Sequence, residues 1–97
     1  MEEKSDKSFY DRADAHIELS NRQLVEMPDR GKVSASMLYS VARFNAWVSA
    51  CGVGSAEELA ATRQDAVEYF CRQYRMMLED HLDDYVAHFQ KYMKSVP

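Results

Sequence analysis

From Arg63 to Met93 the chain reads RQDAVEYFCRQYRMMLEDHLDDYVAHFQKYM. Its large apolar residues Val67, Phe70, Tyr74, Leu78, Leu82, Tyr85, Phe89 and Tyr92 follow one another at steps of 3, 4, 4, 4, 3, 4 and 3. At about 100° of rotation per residue, those steps keep all eight on one side of a helix. The spacing therefore predicts a long helix over 63–93. Two helix starts lie just ahead of it: Ser55-Ala-Glu-Glu58 is a capping box, and Thr62-Arg-Gln-Asp65 is a weaker second one. They predict a short helix over 56–61, a break, and then the long helix. One unbroken helix over 55–93 is the alternative.

Upstream, Phe9, Ala13, Ile17 and Leu24, joined by His16 and Ser20, share a face of a first helix over about 6–27. Pro28 stops it, and Pro28-Asp29-Arg30-Gly31 is the strongest turn signal in the chain. A second helix is expected over 34–50, with Ser34 or Ser36 as its N-cap and Gly52 as its C-terminal stop. Met37, Leu38, Val41, Phe44, Trp47 and Val48 surround that helix, and Ala42, Ala46 and Ala50 line a ridge of small residues. Such a helix is expected to be covered on several sides and to be the central element. The fold expected is all-α: a compact bundle of three main helices plus a short one, in one domain spanning 1–97 with a polar N-terminal arm at 1–5.

Composition agrees. Ninety-seven residues are enough for one domain and too few for two. Hydrophobic residues make up 46% and charged ones 29%, too apolar a mix for a disordered polymer. Three glycines and two prolines are too few to turn an all-β chain.

The net charge of -4 opposes binding to a phosphate backbone, and no segment concentrates positive charge, so no nucleic-acid partner is expected. Cys51 and Cys71 lie twenty residues apart without a C-x-x-C, which suggests two free thiols in a reducing compartment. The first eight residues hold no apolar signal stretch, so a cytoplasmic location is expected. The run from Val33 to Val53 carries Arg43 and Asn45 at its middle, which argues for a buried helix and against a membrane span.

A mismatch in helix length points to a partner. At about 1.5 Å per residue, helices of these expected lengths reach roughly 33, 26 and 46 Å, so the last turns of the long one outreach its neighbours. Tyr85, Phe89, Tyr92 and Met93 fall there. Leaving such rings wet forgoes several kcal/mol at about 25 cal/mol per Å². These four residues are the candidate interaction surface, covered by a second copy or another protein, or else by the chain's own first helix or N-terminal arm.

Chemistry is thinly represented. His81, Asp84 and His88 offer two imidazoles and a carboxylate on one helix face, ligand types for zinc or non-haem iron, but at no diagnostic spacing. Arg43 stands alone in charge between Val33 and Gly54. It is expected either to pair with a carboxylate such as Asp14, Glu18, Asp83 or Asp84, or to hold a small anionic ligand with Tyr39 and Asn45. Cys71 reads as a small buried hydrophobe, and Glu79, Asp80, Asp83 and Asp84 as a solvated acidic face. No phosphate loop, nucleophile triad or pair of catalytic carboxylates can be assembled, no cofactor is implied, and an enzyme is the weaker class.

Several segments together resemble a known family. Arg12-Ala-Asp14 with Ile17, Gly31-Lys-Val-Ser-Ala-Ser36, Leu38-Tyr39, Ala42-Arg-Phe-Asn-Ala46 and Leu82-Asp-Asp-Tyr85 are similar to a family of short bacterial proteins catalogued as a domain of unknown function. The resemblance spans nearly the whole chain. It implies a bacterial, cytoplasmic protein and carries no activity, cofactor or catalytic residue. The leading expectation is thus a small helical interaction or self-associating module, a homodimer included. A binder of a small anion comes second and a metal-dependent enzyme third.

Overall fold

The computed structural model describes residues 7–94, and the polar arm expected at 1–5 lies outside them. The described residues form four helices in chain order: α1 (Lys7–Glu26), α2 (Arg30–Cys51), α3 (Ala56–Ala87) and α4 (Phe89–Met93). The fold is all-α, with three main helices and a short one. The chain divides into two compact units between Ala46 and Trp47, within α2.

In the first unit α1 ends where Pro28 requires. Proline lacks the N–H that would continue the ladder and forces the residue before it out of the helical region. The Met27 N–H still donates to the Gln23 carbonyl at 2.8 Å, and the Asp29 N–H to the Met27 carbonyl at 2.7 Å, so the turn is closed within three residues. α2 then starts at once. Asp29 Oδ1 accepts the Lys32 N–H at 3.1 Å and the Asp29 carbonyl accepts the Val33 N–H at 3.2 Å. Asp29 is therefore the N-cap, and the start expected at Ser34 moves back by four residues. Ser36, the other cap candidate, bonds inside the helix, its Oγ donating to the Val33 carbonyl at 3.0 Å, and Ser40 Oγ donates to the Ser36 carbonyl at 2.9 Å in the same way. Both bonds run back along the helix interior.

The two helices meet through a small contact. Ser20 and Leu24 are half-buried one turn apart on α1, and Val33 and Met37 answer them one turn apart on α2. Ser20 Oγ donates to Met37 Sδ at 3.5 Å. Val33, 5% exposed, is the one buried residue among those described. Among the described residues the several-sided cover expected for α2 is incomplete: Leu38, Tyr39 and Val41 are exposed. A helix with apolar residues around its circumference cannot hide them against one neighbour.

The second unit opens with the end of α2. The Gly52 N–H donates to the Ser49 carbonyl at 3.2 Å and the Val53 N–H to the Ala50 carbonyl at 3.3 Å, a tightening of the last turn. The stop falls at Gly52 as expected, yet no described glycine adopts positive φ. Ser55 caps α3, its Oγ accepting the Glu58 N–H at 3.1 Å while Glu58 reaches back to the Gly54 N–H. Glu57 and Glu58 place negative charge in the first turn, where the helix dipole favours it.

The break expected at Thr62 does not occur. Thr62 Oγ1 donates to the carbonyls of Glu58 and Leu59, both at 3.2 Å, and so turns back into the helix instead of capping a new one. α3 runs through this position for 32 residues. The interruption lies instead at His88 (φ −126°, ψ 32°), between α3 and α4. The short helix thus follows the long one, where it was expected to precede it.

Candidate interaction surface on the long helix

Helix lengths of 20, 22 and 32 residues give α1, α2 and α3 about 30, 33 and 48 Å. Along α3 the least exposed residues are Leu59, Ala66, Phe70 and Gln73. At 100° per residue these cluster about 90° around the axis from the midline of the aromatic stripe. Phe70, at the edge of both sets, is the one shared member. Val67, Tyr74, Leu78, Leu82, Tyr85 and Phe89 are all exposed. The least exposed residues and the apolar stripe therefore lie on different faces of the same helix.

The four residues singled out at the C-terminal end divide in two. Tyr85 and Phe89 are about half exposed, while Tyr92, at 36%, and Met93 are more sheltered. The rings lining Tyr92 come from the same stretch of chain: Tyr85, centroid 4.9 Å away, and His88 at 5.6 Å.

That stretch holds a hydrogen-bonded set. The His88 backbone N–H donates to the Asp84 carbonyl at 3.0 Å, ending α3. The His88 ring Nδ1 lies 3.0 Å from Asp84 Oδ1 and 3.2 Å from the same carbonyl. Tyr92 Oη donates to Asp84 Oδ2 at 3.0 Å. One carboxylate thus joins the last turn of α3 to α4 across the break. The Asp84 hydrogen bond, then partial desolvation and the nearby charge, raise the Tyr92 hydroxyl above the usual tyrosine value of 10.0. The spacing 84, 88, 92 places one residue per turn, a signal available in the sequence, where Asp84 and His88 suggested metal ligands instead.

The other candidates are not brought together in the same way. No three His, Cys, Asp or Glu side chains among the described residues are grouped to hold a metal ion. His81 lies one turn before Asp84 and two before His88 on α3, and the Asp84–His88 contact does not include it. Tyr39 and Arg43 are exposed one turn apart on α2, but Asn45 is half-buried and about 160° around the axis from Arg43. Arg43 is solvated and makes no ion pair among the described residues, so the buried pairing expected for it is absent there. Cys71, expected to be buried, is exposed, as is Cys51. Within the acidic cluster, Glu79 Oε2 pairs with Arg75 Nε one turn back at 3.2 Å. No described helix is long and apolar enough to cross a membrane.

Comparison with known proteins agrees with this architecture. A solved structure, "NMR structure of the protein NB7890A from Shewanella sp", is similar at a TM-score of 0.76 and 31% identity, covering 96% of this chain and 98% of that one. None of the curated proteins matches the chain. Residues 9–86 match the family described as "Protein of unknown function (DUF3144)", and with that match covering most of its length the chain belongs to this family.

Proposed function

We infer that the chain is a small helical interaction module whose working surface is the exposed stripe of α3. One observation carries the reading: Val67, Tyr74, Leu78, Leu82, Tyr85 and Phe89 are exposed along one face of α3, about a quarter turn from its less exposed residues Leu59, Ala66 and Gln73. A contiguous apolar stripe of this length favours a protein surface as its cover over a small molecule.

Cys71 tests the reading from inside the stripe, with Cys51 as the internal control, since both thiols are exposed in the chain itself. Brief maleimide treatment of intact cells, followed by mass spectrometry, is expected to modify Cys51 while Cys71 stays protected. Denaturation should equalise them. Equal labelling of both in the cell overturns the reading.

Binding of a small anion is the second reading, and Arg43 supports it by being exposed, without an ion pair among the described residues, and one turn from Tyr39. Asn45 faces elsewhere, which leaves two side chains for the ligand in place of three. Inorganic phosphate or acetate titrated against the Tyr39 and Arg43 signals by NMR would reveal such a site.

A further inference from the structure

The seam of α3 reads the same from either end. Val67, Cys71, Tyr74, Leu78, Leu82, Tyr85 and Phe89 are separated by 4, 3, 4, 4, 3 and 4 residues, a spacing symmetric about Leu78. Two such helices laid antiparallel across a two-fold axis at Leu78 set Val67 against Phe89, Cys71 against Tyr85, Tyr74 against Leu82 and Leu78 against itself. In the first three pairs a larger side chain meets a smaller one, the condition for interdigitation without voids or clashes.

Charge agrees with that direction. Arg75 and Glu79, 3.2 Å apart on one helix, flank Leu78 on the same side. Antiparallel pairing brings Arg75 of each copy beside Glu79 of the other, with an axial offset of about 3 Å. A parallel pair, related by an axis along the helices, puts the two Arg75–Glu79 flanks on opposite sides of the seam, where they do not meet. The area suffices as well: the seam residues from Val67 to Phe89, Cys71 aside, are between 41% and 57% exposed. At whole-residue areas that is about 600 Å² per copy, or about 1,200 Å² for two when fully covered, at the lower edge of the roughly 1,200–2,000 Å² of a standard stable interface.

We propose that the partner of the α3 seam is a second copy of this chain, paired antiparallel about Leu78. This rests on the interaction reading and gives it its partner. The full chain, of 11.2 kDa, is expected to sediment at twice that mass at tens of micromolar. Leu78→Glu, which sets two carboxylates face to face on the axis, should weaken the dimer at least about a hundredfold. Leu78 is exposed in the single chain, so far-UV circular dichroism of dilute samples should show unchanged helix.

Direction and register are read by disulfide trapping in a Cys51→Ser/Cys71→Ser background. Leu78→Cys should cross-link copy to copy. Val67→Cys alone should not, because antiparallel pairing puts the two sites about 33 Å apart, whereas Val67→Cys combined with Phe89→Cys should. Cross-linking of Val67→Cys alone overturns the antiparallel arrangement, and a dimer with none of these cross-links overturns the seam. A monomer at every concentration overturns self-association; Cys71 protected in the cell would then leave the interaction reading standing with a different partner, and Cys71 labelled as fast as Cys51 would remove both.

Discussion

Asp84 holds two partners at once, accepting from Tyr92 and facing the His88 ring. Its bond to Tyr92 exists only while the phenol keeps its proton. Tyr92 is raised in the folded state, so this contact adds stability that is fully present below the ordinary tyrosine value and is lost as pH climbs through the higher folded value. Absorbance titration near 295 nm, with Tyr92→Phe subtracted to isolate the Tyr92 step, should place that step above the ordinary tyrosine value in the unmodified chain and lower it in Asp84→Asn; a Tyr92 step that Asp84→Asn leaves in place would refute the bond. Arg43 makes the opposite point. Exposed and without an ion pair among the described residues, it should tolerate Arg43→Ala within about 0.5 kcal/mol by urea unfolding. A buried pair broken at this position would instead cost about 3–5 kcal/mol, and a loss of that size would mean the arginine is held in a way the structure does not contain.

Among the helices, the boundaries set by backbone chemistry are the ones visible in the sequence. Pro28 has no N–H to give, and the Ser55 capping box satisfies donors that have no other partner, so both end or begin a helix wherever they sit. Ser34, Thr62 and His88 are different, because each side chain has two local uses and the sequence does not say which is taken. Thr62 bonds backward and extends α3, Asp29 takes the capping role ahead of Ser34, and His88 turns against Asp84 and interrupts the helix. Paired substitutions separate the two uses. Ser55→Ala should cost about 0.5–2 kcal/mol through the lost cap. Thr62→Ala should be neutral or slightly stabilising, since alanine is the better residue inside a helix. Thermal or urea unfolding of the two variants gives the comparison, and a Thr62→Ala loss matching that of Ser55→Ala would restore a helix start at 62.

At the scale of the whole molecule, the stripe is legible and its cover is not. Periodicity is local, so the apolar residues from Val67 to Tyr92 can be placed on one face from their spacing alone. Grouping residues on α2 by closeness in sequence is less sound, since Arg43 and Asn45 are two apart and face opposite sides of the helix. What hides a face depends on surfaces that the face itself does not encode, and Val33 is the one described residue the chain buries outright. A chain that completes its core with a second copy has a stability inseparable from its own concentration. The thermal midpoint followed by circular dichroism should therefore rise steadily as the chain is taken from about 1 μM to several hundred micromolar, following the mass-action dependence of a dimer. Leu78→Glu should flatten that rise and hold the midpoint at the low-concentration value, because it removes the coupling while sparing each helix. A midpoint in the unmodified chain that ignores concentration across this range would mean that its apolar seam contributes nothing through self-pairing.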